Sequence, residues 1–112
     1  GYTQDVNLMK KDCDLIAEPQ FKDVCILGVV DSLNGRYNGD ESKIIAFCSI
    51  VDEEDKQSCY TEMAHDIRVW VRDEEELRNK CLKIPEEKYR TLCLGIALSA
   101  NNASGTAISV FK

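Results

Sequence analysis

Histidine and proline are nearly missing from this chain: 112 residues hold one of the first and two of the second. With His65 alone, a histidine-rich metal site is excluded. A catalytic dyad with the adjacent Asp66 is excluded too, because successive side chains on a helix point about 100° apart. Its helix-face neighbours are Glu62 and Arg68, and it reads as an ordinary helix histidine. No Cys-x-x-Cys occurs, which removes the usual thiol-exchange motif. No apolar run approaches the ~20 residues of a membrane span. No basic patch stands out either, since 14 Lys and Arg are scattered among 20 Asp and Glu, for a net charge of −6. Nucleic acid and anionic membranes are therefore poor partners, because binding them takes a basic face that displaces counterions. No leader peptide is visible; if the chain is exported, Gly1 fits a processed start.

What the chain does have is cysteine. Six residues, Cys13, Cys25, Cys48, Cys59, Cys81 and Cys93, fall in a regular pattern, and the second member of each pair recurs at a spacing of 34. An even count at regular spacing reads as a disulfide framework in an oxidising compartment. The paired cysteines are separated by eleven, ten and eleven residues. Those gaps are too wide for the close pairs of structural zinc, so no metal is expected.

Aligning the three copies exposes helical periodicity. Met9, Ile44 and Leu77 lie four residues before the first cysteine, and Ile16, Val51 and Ile84 three after it. Val29, Met63 and Ala97 lie four after the second, followed by Val30, Ala64 and Leu98. These offsets trace one face of a helix, so each copy is two amphipathic helices. Between them come Ala17-Glu18-Pro19, Val51-Asp52-Glu53-Glu54 and Ile84-Pro85-Glu86-Glu87. Proline and acids favour a helix start, Asp52 suits an N-cap, and Pro19 and Pro85 oppose one unbroken rod. The expected unit is a helical hairpin.

The hairpin geometry also sets the pairing. The first cysteine lies about one turn before the bend and the second about two turns after it. That brings Cys13 to Cys25, Cys48 to Cys59 and Cys81 to Cys93, each bridge contributing ~3 kcal/mol in the chain-entropy picture. The expectation is an all-α single domain over 1–112, three stacked antiparallel hairpins forming a short α-solenoid. The repeats span about 6–33, 41–71 and 74–98, and 99–112 form a flexible or capping tail.

The period and hairpin plan resemble tetratricopeptide-type and Sel1-like repeats. The recurring phrase Cys-x-x-Ile/Val-x-Glu/Pro-Glu…Lys/Arg-x-x-Cys also looks like cysteine-paired helical repeats of exported microbial proteins. The resemblance spans about Val6 to Leu98 and rests on period and cysteine spacing. It implies a TPR-like protein-binding module outside the cytoplasm.

Candidate contact residues are Asn34, Arg36, Tyr37, Asn38 and Trp70. The first four lie in the link from about Asp31 to Asp40, read as a turn-rich loop from its two Asn-Gly steps. Trp70 closes the second helix of the middle copy and reads first as packing, then as a hot spot. Asp31, Asn34, Asn38, Asp40 and Glu41 offer hard oxygens, but the EF-hand template fails at Leu33 and Gly35, so a hydrophilic loop is the default. The acidic groups Asp52 to Asp55 and Asp73 to Glu76 read as caps and dipole partners. Asn102-Ala103-Ser104 fits a glycosylation acceptor. No catalytic constellation and no cofactor site emerges. The expected function is a non-enzymatic, extracytoplasmic interaction or structural module. The alternative is a small carrier of an apolar ligand in a pocket lined by Val24, Leu27, Met63, Trp70, Leu92 and Ile96.

Overall fold

Three aspartates start three short helices. Asp5, Asp40 and Asp73 each stand eight residues ahead of a first cysteine. Their side chains accept from the backbone N–H of Asn7 at 2.9 Å, Ser42 at 3.0 Å and Glu76 at 2.9 Å. Each bond satisfies an amide that the helix itself leaves without a partner. In the computed structural model, which describes residues 5–102 with side chains placed up to 98, these caps open α1 (Val6–Asp14), α3 (Glu41–Cys48) and α5 (Glu74–Cys81). Each short helix turns back into a long one: α2 (Pro19–Arg36), α4 (Glu53–Trp70) and α6 (Glu87–Asn102). The described residues form an all-α structure with no strand.

The bends share one hydrogen bond. Leu15 N–H donates to the Asp12 carbonyl at 3.3 Å, Ile50 to Phe47 at 3.1 Å and Lys83 to Lys80 at 3.3 Å. Pro19 then occupies the first turn of α2, where its missing N–H costs nothing. Disulfides close all three bends, Cys13 to Cys25, Cys48 to Cys59 and Cys81 to Cys93, across Cα separations of 5.6, 5.6 and 5.5 Å.

The long helices make the main layer, α2 against α4 and α4 against α6, with α1, α3 and α5 packed on their flanks. Phe47, Tyr60, Met63, Ala64 and Ile67 of α3 and α4 are fully buried at the centre. The Tyr60 and Tyr89 rings stack there at 4.9 Å, joining α4 to α6.

Several expectations change here. The link at Asp31 to Asp40 is mostly helix, because α2 continues through Asn34-Gly35 to Arg36 and only Tyr37 to Gly39 turn. Burial of Leu33 and Asn34 outweighs the weak helix preference of Asn and Gly. Gly39 is required in that turn: its φ is +79°, and an added Cβ would lie 2.9 Å from Trp70 Cβ. Asp52 precedes α4 but makes no side-chain capping bond, being drawn instead to Lys22. Of the residues proposed to line an apolar pocket, only Met63 is buried. Val24 is 64% exposed, Trp70 48% exposed, and Leu27, Leu92 and Ile96 are half-buried. They lie beside the core stripe, which runs through the second cysteine and the residues one, four, five and eight after it. α6 runs on through 99–102. Ala103 and Ser104 of the glycosylation triplet, with the rest of the tail, lie outside the described residues.

The short helices, of nine, eight and eight residues, are below the length at which isolated helices persist. Replacing both Cys48 and Cys59 with Ala removes the central closure. It should lower unfolding free energy by roughly 2–5 kcal/mol in guanidinium titrations followed by circular dichroism.

Candidate functional site

The contact candidates do not form one patch. Asn34 is buried on α2, only 6% exposed, with its Oδ1 unpartnered. Arg36 ends α2 and is exposed. Tyr37 is half-buried, with Lys43 Nζ 5.1 Å from its ring centre. Asn38 is exposed and left-handed, at φ 55°. Trp70 caps the turn from the far side, its ring against Gly39. Arg36 belongs to a groove of about 350 Å³ between α1 and α2, lined by Leu8, Met9, Cys25 and Val29 with Asp12.

Two oxygen donors of the Asp31 to Glu41 segment, Asp40 and Glu41, are engaged in other contacts. Asp40 caps α3. Glu41 is buried and accepts from Lys80 Nζ at 2.7 Å and Lys83 Nζ at 3.0 Å. Burial alone would raise its carboxyl, but the two ammonium groups win and hold it down at about 2. Lys80 also donates to the Gly39 carbonyl at 3.1 Å, tying α5 to the turn before α3.

Asp31 faces α4, and there the structure contains what sequence reasoning missed. Carboxylate oxygens of Asp31, Glu62 and Asp66 lie within 4.8 Å of one another. Three like charges that close cannot all ionise cheaply. Burial, then hydrogen bonding to Asp31 and the nearby negative charge, pushes the Asp66 carboxyl up to about 8. Hydrogen bonding to Asp31, then burial and the charges of Asp31 and Asp23, pushes Glu62 up to about 7. Asp31, accepting from Asp66 and Glu62, moves below the ordinary carboxylate range. Asp66 Oδ2 is buried with no hydrogen-bond partner, an environment that favours the neutral carboxyl over the carboxylate. Hydrogen bonds within the trio require at least one of its carboxyls to keep a proton. The available signal was positional. Asp31 lies six after its cysteine, Glu62 and Asp66 three and seven after theirs, so adjacent long helices bring these offsets together.

The second acidic group, Asp52, Glu54 and Asp55, has a cation at its edge. Lys22 reaches Asp52 at 2.6 Å and Asp14 and Asp55 at 3.3 Å, and Lys10 reaches Asp52 at 3.5 Å. Hydrogen bonding to Asp52, partly opposed by desolvation, holds the Lys22 ammonium above its ordinary range. Between α4 and α6, Lys56 reaches Glu86 at 3.1 Å, and the Tyr89 hydroxyl donates to Glu53 at 3.0 Å. His65 is exposed on α4.

No protein-family model, curated protein or solved structure matches the chain.

Carboxyls raised from 4.5 and 3.8 to about 7 and 8 contribute stability that is complete below the unfolded values and is lost as pH rises through the folded ones. Chemical denaturation should therefore show stability falling by roughly 1–3 kcal/mol between about pH 5 and pH 8. Asp66→Asn should flatten that slope and be the more stable protein at the alkaline end. At the acid end the sign reverses: Glu41 contributes stability above its unfolded value, lost as pH falls toward about 2.

Proposed function

We propose that this chain is a non-enzymatic interaction module of an oxidising, extracytoplasmic space: three disulfide-clipped helical hairpins stacked as a short solenoid, loosely of the tetratricopeptide and Sel1-like kind. The observation that carries this reading is an ion pair repeated in register. Lys22 stands three residues before its second cysteine and pairs with Asp52; Lys56 holds the same place in the next copy and pairs with Glu86. Each pair spans 30 residues, reaching from one hairpin to the bend of the following one. A common interface used twice is what stacking of like units requires. Three intramolecular disulfides are compatible with an oxidising compartment.

Binding is favoured over carriage by where the apolar surface lies. The interior is filled by its own side chains, Tyr60, Phe47, Ile26 and Leu33 the largest among them. Phe21, Val24, Val69 and Trp70 stand on the outside instead. Large apolar groups on a stapled, low-entropy scaffold are the usual anchors of a protein contact.

Two measurements test the reading. A double-mutant cycle on Lys56→Ala and Glu86→Ala should return a coupling of about 0.5–1 kcal/mol, as should the cycle on Lys22 and Asp52. Absence of coupling at both places removes the shared interface. A partner captured by the intact chain should then be lost on Trp70→Asp or Val24→Asp, with the circular dichroism unchanged. Capture indifferent to every exposed apolar substitution leaves the domain a spacer.

A further inference from the structure

We propose that a second copy of this chain docks head to tail on the first: the outer face of α1 and α2 in one copy receives the outer face of α5 and α6 in the other, with Glu18 set between Arg78 and Arg90. The inference rests on the stacked-hairpin reading and extends it to the two ends of the stack.

The outer face of α2 is the face that α4 and α6 bury. Advancing by the repeat from Phe21 gives Asp55 and Tyr89; Phe21 is 58% exposed, Asp55 and Tyr89 only 9% and 5%. The same step from Cys25 gives Cys59 and Cys93, and from Val29 gives Met63 and Ala97. The first residue of each set is half-buried and the other two wholly so. Side chains at these positions are covered wherever another hairpin precedes them. In the first hairpin Cys25 and Val29 line the groove with Leu8 and Met9. The opposite end mirrors this. Ile26 and Tyr60 are buried while their counterpart Leu94 is half-buried, and Val30 and Ala64 are buried while Leu98 is not. Among the described residues, partly exposed apolar side chains at both end faces differ from the polar outer faces that cap repeat arrays.

Charge chooses the occupant. Between the first two hairpins, Lys10 and Lys22 converge on Asp52. In the third hairpin their places, three before the first and three before the second cysteine, belong to Arg78 and Arg90. The place of Asp52, seven before the second cysteine, belongs in the first hairpin to Glu18. A docked copy therefore repeats the internal junction with both signs correct. Arg90 Nη1 is held by the carbonyls of Ile84 and Pro85 at 2.8 and 2.7 Å, which orients the guanidinium while leaving its other N–H groups to donate. Phe21 arrives where Tyr89 sits, and covers Leu94 as Tyr89 covers Tyr60. The same register sets Asp12 against Glu74, a like-charge pair that weakens the contact and that Asp12→Asn relieves. Because the two faces differ, the contact is heterologous and grows open-ended chains rather than a closed pair.

Sedimentation velocity on the full chain over a rising concentration series tests this. Average mass should climb past that of a dimer, and Asp12→Asn should tighten association. Glu18→Arg and Arg78→Glu, both at exposed positions, should each weaken it roughly tenfold. An equal mixture of those two variants restores opposite signs at the junction and should associate better than either alone. A chain that stays monomeric throughout, or associates regardless of Glu18 and Arg78, overturns the docking. If the Lys56–Glu86 coupling persists in that monomer, only the docking has failed; if the coupling is absent too, the stacked-hairpin reading has failed with it.

Discussion

A sulfur–sulfur bond across each bend holds two helices that would not hold each other. The short arms have eight or nine residues and present few apolar side chains: α5 offers the core only Leu77 and Cys81. Helices of that length are marginal in water, and a chain of this size has little interior with which to rescue them. The cross-link removes loop entropy from the unfolded state, and the Asp cap at the start of each arm satisfies an amide that would otherwise fray. With the arms fixed, the long helices are free to pack along their length, and α4, touching both α2 and α6, becomes the hub.

Charge then plays two opposite parts at the junctions. Lys22, Lys56 and Lys80 are mostly covered ammonium groups that reach across to carboxylates on another helix pair. Such pairs contribute little net stability apiece, since desolvation offsets much of the attraction, but they penalise any other register. The Asp31, Glu62 and Asp66 trio does the reverse. It sits in the α2 to α4 interface, where burial and mutual repulsion raise the carboxyls of Glu62 and Asp66 and favour their neutral forms. Perturbed carboxyls often mark catalytic clefts. Here the perturbation has a structural origin, three acids pressed together by the packing of α2 on α4.

The all-α class and the helices were legible because the signals are local. Cysteine spacing, Pro19, Pro85 and the apolar offsets each act within a turn or two of chain. Asn34-Gly35 misled for the same reason: a dipeptide that prefers a turn in isolation was held helical by the burial of Leu33 and Asn34, which local preference does not contain. Val24, Leu27 and Trp70 were misplaced by composition, since a large apolar residue on an amphipathic helix is not thereby on its buried face. The stripe itself, read strictly, leaves them out. The trio needed one thing more, the relative height of α2 and α4, and that follows only from how those two helices pack on each other.

That relative height is also what gives the ends of the molecule their meaning. The junction between α2 and α4 is not a mirror of itself: one side offers Lys10, Lys22, Ile26 and Val30, the other Asp52, Asp55, Cys59 and Met63. On the stacked-hairpin reading, the described residues present a basic and apolar face on the third hairpin and an acidic and apolar face on the first. Arg78, Arg90 and Leu94 are the first of these; Glu18, Phe21 and Val29 are the second. A net charge of −6 opposes any contact between copies at long range, so the local pairing of signs has to decide whether the ends meet. Screening by salt reduces that repulsion over a Debye length while sparing the close, partly covered pairs. Added salt should therefore favour end-to-end contact up to the point at which Glu18 and its arginines are themselves screened.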